Sequence, residues 1–282
     1  MWDPGRVLVA CCQIAPRIGE LEANRALAAR AVEAAAARGA RVVVLPELCS
    51  SGYVFRDAEE ARALAEPDDG PTTSGWVEVA RRHDVVVVGG FCEVDVDGAL
   101  RNSAALVDGS GVRAVYRKAH LWDRESEVFL AGDDPPPVVH TDAGRIAVMV
   151  CYDLEFPEWV RLPALAGAQL LAAPANWPAV AVAAGHHPGE VVRVQADACV
   201  NRIFVAACDR HGPERGVEWV GGSVIADPDG ARLAGPPPDR GEALLLAECD
   251  LALADDKRVS ARNDVLADRR PELYGPVAAP GV

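Results

Sequence analysis

The hydrophobic pattern of the chain alternates between short apolar runs and longer stretches with one apolar face. The runs have the length of strands and are apolar almost without interruption, which is typical of strands covered on both faces. They predict strands at 6–12, 41–45, 84–92, 146–150, 169–173 and 203–208. The amphipathic stretches predict helices at 21–38, 58–65, 72–83, 157–166 and 189–201. This alternation indicates an α/β fold.

Two regions depart from the alternation and predict antiparallel strands. Residues 101–107 and 111–117 flank the sequence VDGSG, which is typical of a hairpin turn. Residues 217–226, 232–234 and 243–249 are predicted to be closing strands, with the turn sequence DPDG between the first two. Because no internal repeat or interdomain linker is evident, we expect one α/β domain with a mixed sheet or a pair of packed sheets.

The composition restricts the partners and the location. The 282 residues are 50% hydrophobic, which is enough for a large core, and the formal net charge is -14. An acidic surface repels phosphate backbones, so nucleic acid is not expected as a partner. The N-terminus lacks a signal-peptide pattern, and no apolar run reaches the ~18 residues of a membrane span. We therefore predict a cytoplasmic protein without membrane insertion, and the abundance of alanine, arginine and glycine suggests a bacterial source.

Most of the eight cysteines lie inside apolar stretches, which indicates reduced core residues rather than disulfides. No Cys-x-x-Cys spacing is present, so a zinc site is not indicated. His186 and His187 lie near Glu190 but lack the HExxH order, and we interpret them as solvated loop residues. No metal is therefore predicted.

Cys151 differs from the other cysteines because it directly ends an apolar strand. The polar residues Tyr152 and Asp153 follow it at once. A thiol at the end of a core strand, with its backbone N–H at a strand-to-helix turn, is where α/β enzymes often place a nucleophile. The alternative is that Cys151 is one more buried core cysteine.

Glu47 and Lys118 also follow apolar strands directly. If the three strands are neighbours, a carboxylate, an ammonium and a thiol converge. The carboxylate can take the thiol proton, the ammonium can stabilise developing negative charge, and the thiolate can attack a carbonyl or nitrile carbon. A mechanism that pairs Cys151 with His120 or His187 is the alternative, and Glu47 or Lys118 alone would be a solvated charge.

Three segments resemble the signature motifs of the nitrilase superfamily, the carbon–nitrogen hydrolases. They are VVVLPELCSSGY, YRKAHLWDRESEVFLAG and VMVCYDLEFPEWVRLPALAGAQLLAAPANWP. The resemblance extends from the first strand to GGSVIADPDG. It implies a four-layer α-β-β-α sandwich, a single domain over residues 1–282, no cofactor and a homo-oligomer, commonly a dimer. Residues 250–282 then form a C-terminal extension that is a candidate for the dimer interface.

The resemblance also implies roles for individual residues. The family's Glu–Lys–Cys triad corresponds to Glu47, Lys118 and Cys151. Its second glutamate corresponds to Glu125, with Glu127 as the competing position. We prefer Glu125 because its spacing to the glycine of FLAG fits the family pattern, although an alanine precedes that glycine where many members have proline.

Three further residues are implied in substrate binding. The backbone N–H of Tyr152 corresponds to an oxyanion donor that acts beside Lys118. Trp177 is expected to line the acyl pocket, with core packing as the alternative. Tyr53 is a further pocket candidate.

The Tyr152–Asp153 pair favours an amidase or carbamoylase, because many nitrilases have Trp–Glu at these positions. We expect cysteine-dependent hydrolysis of a small aliphatic amide or ω-amide to the acid and ammonia through a thioester. The alternatives within the superfamily are hydrolysis of an N-carbamoyl amine and nitrile hydrolysis. The alternative from another class is a non-catalytic, thiol-bearing binding protein on the same fold.

Overall fold

Two six-stranded sheets form the centre of the protein, whose computed structural model describes residues 6–179, 182–183, 185–277 and 279. The first sheet contains β1 (Arg6–Gln13), β2 (Val42–Val44), β3 (Val86–Val94), β4 (Leu100–Asp108), β5 (Gly111–Arg117) and β12 (Ala243–Asp250). The second contains β6 (Val138–Thr141), β7 (Gly144–Val148), β8 (Leu170–Pro174), β9 (Phe204–Cys208), β10 (Val224–Ala226) and β11 (Arg232–Ala234). A small hairpin of β13 (Arg258–Ser260) and β14 (Asn263–Asp264) follows.

The two sheets have similar topologies. The first has the order β12-β1-β2-β3-β4-β5 and the second has the order β11-β10-β9-β8-β7-β6. The neighbouring strands β1, β2 and β3 are parallel, as are β7, β8 and β9, and the outer strands pair antiparallel. Each sheet therefore has a parallel centre, and loops after parallel strands are the usual place for a site.

Helices cover the outer face of each sheet. The helices are α1 (Leu21–Ala37), α2 (Ala58–Leu64), α3 (Pro71–His83), α4 (Glu125–Val128), α5 (Pro157–Leu165) and α6 (Gly189–Asn201). α1 and α3 pack on the first sheet, and α5 and α6 lie on the second. Because β1 and β3 face β9 and β8, the layers follow in the order α-β-β-α. The predicted four-layer sandwich is confirmed.

Alternating side chains of β2 explain why its sequence is apolar throughout. Val42 and Val44 belong to the core between the two sheets, whereas Val43 packs in the core under α1 and α3. All three valines are fully buried. A strand with both faces covered has no solvent-facing position, so the polar alternation of a surface strand is absent.

The structure corrects several predicted boundaries. Of residues 217–226, only Val224–Ala226 form a strand, and the predicted loop at 118–132 contains the short helix α4. The strand Val138–Thr141 was not predicted, since PPP directly before it indicated only a turn. Within the described residues, no helix is long and apolar enough to cross a membrane.

Candidate active site

Glu47 lies two residues beyond Leu45 at the end of the β2 strand region, fully buried. The backbone passes so close to β3 that a Cβ on Gly90 would lie 2.5 Å from the Cα of Glu47. Glycine is therefore required there, and Leu48 directly after Glu47 adopts a positive φ of 46°. This turn aims the carboxylate into the space between the two sheets.

The two oxygens of the Glu47 carboxylate have different surroundings. Oε1 accepts hydrogen bonds from Nδ2 of Asn102 at 2.7 Å and from Nζ of Lys118 at 2.8 Å. Oε2 is buried and has no hydrogen-bond partner within the described residues. Burial raises the pKa of Glu47 to about 7, although the Lys118 charge opposes that rise. The carboxyl is thus suited to take up and release a proton near neutral pH.

Lys118 directly follows β5 and is held by its backbone on both sides. Its N–H donates to the carbonyl of Asn102 at 2.9 Å, and its carbonyl accepts from the N–H of Gly132 at 2.9 Å. The ammonium is fully buried and bridges Glu47 at 2.8 Å and Glu125 at 2.7 Å. Burial alone would lower the pKa of Lys118, but the two carboxylates raise it well above its ordinary value. The lysine is therefore a permanent buried cation.

Glu125 is the first residue of α4, and both oxygens of its carboxylate accept hydrogen bonds. Oε1 accepts from Lys118 and from the hydroxyl of Tyr53 at 2.5 Å, and Oε2 accepts from the N–H of Trp122 at 3.1 Å. Glu127, the competing position, is exposed and pairs with Arg124 at 3.0 Å. The structure therefore brings Glu125 to the lysine and leaves Glu127 at the surface.

Cys151 begins a 3-10 turn, Cys151–Glu155, directly after the β7 strand region. Its φ of 49° is unusual for a residue with a side chain, and strain of this kind clusters at functional sites. The thiol is buried and donates to the carbonyl of Asn176 at 3.7 Å. Burial, followed by the nearby Glu47 charge, raises the pKa of Cys151 well above its ordinary value. The resting side chain is therefore a neutral thiol.

Asn176 and Asn102 connect the three strand ends, and sequence reasoning missed both. Nδ2 of Asn176 donates to the backbone carbonyl of Glu47 at 2.8 Å. The backbone carbonyl of Asn176 accepts from the thiol of Cys151. Asn102 contacts Glu47 through its side chain and Lys118 through its backbone. The only sequence signal is that each asparagine lies in or directly after a strand-length apolar run, where a buried amide needs partners.

Asp153 is the third residue of the nucleophile turn and accepts four hydrogen bonds. Oδ2 accepts from the N–H of Val150 at 3.2 Å and the hydroxyl of Tyr116 at 2.7 Å. Oδ1 accepts from the backbone N–H of His120 at 3.0 Å and contacts its Nδ1 at 2.8 Å. The His120 ring also stacks on Phe156, at 3.8 Å between centroids. His120 is thus engaged with Asp153, and this position fits a structural role better than a Cys–His mechanism.

Of the two predicted pocket residues, Tyr53 lines a cavity and Trp177 lies in the core. Tyr53 lines a cavity of about 410 Å³ together with Glu125, Trp122 and Trp219. Trp177 is buried in the core between the layers and donates its backbone N–H to Asp209, so packing describes it better than pocket lining. The cavity tryptophans were missed, because the sequence does not show which aromatic residues lie near the strand ends.

The ring of Tyr152 is half-buried beside the nucleophile. It makes edge contacts with Trp122 at 4.9 Å and Phe156 at 5.2 Å between centroids. His186 and His187 are both exposed. Within the described part of the chain, no group of three or more His, Cys, Asp or Glu side chains is arranged to hold a metal ion.

Comparison with known proteins assigns the family. Residues 8–258 match the family model described as carbon-nitrogen hydrolase. The chain belongs to the carbon–nitrogen hydrolase family. The predicted superfamily is therefore confirmed, and with it the prediction of an enzyme that hydrolyses carbon–nitrogen bonds.

Several members of the carbon–nitrogen hydrolase family are similar over most of the chain. A protein named nitrilase from Pyrococcus abyssi is 37% identical over 95% of this chain and 99% of its own length. A 2-oxoglutaramate amidase from Bacillus subtilis is 33% identical over 83% of this chain and 87% of its own. The solved structure of a variant amidase from Nesterenkonia sp. AN1 is 28% identical, covers 95% of each chain and has a TM-score of 0.78. In that variant the acetamide moiety of fluoroacetamide is covalently added at the active-site cysteine.

Proposed function

We propose that the enzyme hydrolyses a small-molecule amide to a carboxylic acid and ammonia through a thioester on Cys151. The observation that carries this proposal is the buried Lys118 ammonium, which bridges Glu47 and Glu125 beside the thiol. A base, a cation and a neutral nucleophile in one buried site are the parts that acyl transfer needs. The covalent adduct on the active-site cysteine of the Nesterenkonia amidase supports the same chemistry.

Acylation begins from the neutral thiol. Oε2 of Glu47, which has no hydrogen-bond partner among the residues that the structure describes, takes the thiol proton as the sulfur attacks the amide carbon. The carbonyl π electrons move onto oxygen, and the oxyanion is stabilised by Lys118 and the N–H of Tyr152, with such donors contributing about 3 kcal/mol each. When the intermediate collapses, the C–N bond breaks and Glu47 protonates the departing nitrogen. Cys151 then carries the acyl group as a thioester.

Deacylation repeats these roles with water. Glu47 accepts a proton from the water that attacks the thioester carbon, and Lys118 again faces the oxyanion. The C–S bond breaks, the sulfur regains its proton from Glu47, and the acid departs. Glu125 positions the ammonium of Lys118 and the hydroxyl of Tyr53, and no metal or organic cofactor takes part in these steps.

We favour amide over nitrile hydrolysis because Tyr152 and Asp153 follow the cysteine where many nitrilases have Trp and Glu. Asp153 is held there by Tyr116 and by the backbone of Val150 and His120. The similarity to the B. subtilis enzyme makes an ω-amide one candidate substrate. Hydrolysis of an N-carbamoyl amine is the second candidate function, since a carbamoyl carbon needs the same nucleophile and oxyanion donors.

Mass spectrometry of the intact protein separates this proposal from a non-catalytic binding protein. We expect a mass increase on Cys151 after incubation with fluoroacetamide or slowly turned-over amides, together with ammonia release. Cys151→Ala should abolish both while the unfolding temperature stays close to that of the wild type. Because Cys199 is exposed, the experiment is done in a Cys199→Ser background. Ammonia release by Cys151→Ala at the wild-type rate would contradict the proposal.

The assembly and location stay predictions. We propose that residues 1–282 act as one domain and that the segment 250–282 lies at a homodimer interface. Leu273 and Val277 support this, since both are apolar and about 60% exposed. Analytical ultracentrifugation of the full chain and of a variant with Leu273→Ser and Val277→Ser tests it.

Free thiols at all eight cysteines suit a reducing compartment such as the cytoplasm.

A further inference from the structure

The cavity of about 410 Å³ adjoins the active site at Tyr53 and Glu125. The hydroxyl of Tyr53 donates to the Glu125 oxygen that also accepts from Lys118, so the cavity ends beside the oxyanion-binding lysine. Its volume lies within the range of ligand pockets. An apolar cavity of about 150 Å³ is enough to bind benzene. The cavity can therefore hold an aromatic ring on the part of the substrate that does not react.

The cavity walls are mainly aromatic and aliphatic. Trp122 and Trp219 stand on the wall, with Phe55 and Phe129 in edge contact at 5.8 Å between their centroids. The ring of Trp219 also meets Tyr53 edge-on at 5.2 Å. Trp219, Phe55 and Phe129 are each less than 8% exposed and are fixed by these contacts. Rigid aromatic walls favour an apolar ligand group, because burying it removes apolar surface from water.

The charged residues on the described lining carry no net positive charge that would favour an anionic substrate. They are Asp123, Arg124 and Glu125. Arg124 donates to Glu127 at 3.0 Å and to the carbonyl of Arg56 at 3.3 Å, and its side chain is more than half exposed, so its charge is partly neutralised by Glu127 and screened by water. Glu125 is bound by the donors of the active site. A carboxylate entering this cavity would lose hydration and would meet two acidic residues and one arginine that already has an acidic partner.

We infer that the enzyme acts on uncharged amides that carry a bulky apolar group, aromatic or branched aliphatic, and discriminates against amides that carry a carboxylate. This inference rests on the proposed function and narrows its substrate class. It separates this enzyme from an ω-amidase for dicarboxylate monoamides, although the catalytic residues of both would be alike.

The first test compares kcat/KM for 3-phenylpropanamide, acetamide and glutaramate, the monoamide anion of glutaric acid. One methylene in an apolar pocket changes kcat/KM by about 10–200-fold, so the phenyl compound should exceed each of the others by at least about 100-fold. Equal values for the three amides, or a preference for acetamide or glutaramate, would overturn the inference while ammonia release still supports the proposed function. Absence of ammonia and of a Cys151 adduct with all three would contradict the proposed function itself.

Two variants locate the preference in the cavity. Trp122→Ala removes a wall residue whose side chain is already 41% exposed, and it should lower the ratio of phenylpropanamide to acetamide kcat/KM about tenfold. Leu130→Ala is the matched control, because Leu130 is 56% exposed in the same loop and does not line the cavity. An unchanged ratio in Trp122→Ala, or an equal fall in Leu130→Ala, would overturn the inference.

A positive charge introduced into the cavity wall should increase the preference for the anionic amide. Val217→Lys places a cation on the lining and should raise kcat/KM for glutaramate about tenfold relative to acetamide, as expected for a new ion pair in a partly buried site. Leu253→Lys adds the same charge at an exposed position outside the cavity and should leave that ratio at its wild-type value. Thermal unfolding curves of both variants are recorded to establish that each one folds. A wild-type ratio in folded Val217→Lys would count against this cavity as the substrate pocket.

Discussion

Asn102 holds both the base and the cation of the active site: its side chain donates to Oε1 of Glu47 at 2.7 Å, and its carbonyl accepts from the N–H of Lys118 at 2.9 Å. One residue of β4 therefore sets the distance between two groups that lie 71 positions apart in the chain. Oε1 of Glu47 already accepts from the side chains of Asn102 and Lys118. Proton transfer is therefore left to Oε2.

Replacing Asn102 should move the pH profile to higher pH. The hydrogen bond from Asn102 stabilises the charged form of Glu47 and lowers its pKa, so Asn102→Leu removes that stabilisation and raises the pKa above about 7. A hydrogen bond to a charged group contributes roughly 1.5–3 kcal/mol, and one pKa unit corresponds to about 1.4 kcal/mol. Glu47 must be deprotonated to act as a base, so the acid limb of kcat/KM should shift upward by about one unit.

The control for Asn102→Leu is its stability. The side-chain oxygen of Asn102 has no hydrogen-bond partner within the described residues, so leucine leaves no new donor unsatisfied there. A thermal unfolding curve near that of the wild type is therefore expected. An acid limb that stays in place, or moves downward, would show that another group controls it.

Glu125→Gln should move the acid limb in the opposite direction. The negative charge of Glu125 raises the pKa of Glu47, so neutralising it lowers that pKa and extends activity to lower pH. The ammonium of Lys118 loses a charged partner and its orientation, and kcat should fall about 100-fold, in the range seen when one oxyanion donor is removed. Glu127→Gln, at the exposed position two residues on, is the matched control and should retain wild-type kcat. An equal loss in both variants would contradict this role of Glu125.

Gly90→Ala should damage catalysis without touching any polar group. A Cβ at this position would lie 2.5 Å from both the Cα of Glu47 and the backbone nitrogen of Leu48, so the Glu47 backbone must move. A displacement of about 1 Å in an active site can reduce the rate about 100-fold. Steady-state kinetics should show a loss in kcat/KM of this order.

The control for this substitution is Gly75→Ala in α3. A Cβ there meets nothing within 4 Å, and alanine in a helix is more stable than glycine by about 0.5–1 kcal/mol. Gly75→Ala should therefore keep wild-type activity and raise the unfolding temperature. Wild-type kinetics in Gly90→Ala would mean that β3 can shift away from the glutamate turn.

Asp153→Asn tests whether the aspartate positions the nucleophile turn. An amide can accept at only one of the two places where the Asp153 carboxylate now accepts, and its NH₂ faces existing donors. Leaving buried donors unsatisfied costs about 1–3 kcal/mol. We expect a lower unfolding temperature and a fall in kcat and in the rate of Cys151 acylation that exceeds any rise in KM.

Tyr116→Phe separates positioning from general stability. It removes one of the four donors to Asp153 and leaves the contacts to Val150 and His120 in place. The loss of kcat should be smaller in Tyr116→Phe than in Asp153→Asn. Trp159 also loses the Tyr116 hydroxyl that accepts its ring N–H. If Asp153→Asn lowers only the unfolding temperature and leaves kcat intact, the aspartate stabilises the fold without positioning Cys151.

The sequence by itself determined the α/β class and the three polar residues at strand ends. Buried strands and the residues that end them are local patterns, so Glu47, Lys118 and Cys151 could be found without coordinates. The sequence predicted the ends of the strands less well. Residues 217–226 are largely apolar, yet most of the segment is a loop that lines the cavity at Val217. Local composition does not distinguish a buried strand from a buried loop.

Only the tertiary structure decided which side chains surround those three residues. Asn102, Asn176 and Asp153 lie on different strands and turns, and their partners depend on strand register and on how the two sheets face each other. The same holds for the cavity, where Trp122 and Trp219 form the wall and Trp177 packs in the core. Contacts between residues distant in sequence depend on the folded arrangement of the whole chain, which no local motif specifies.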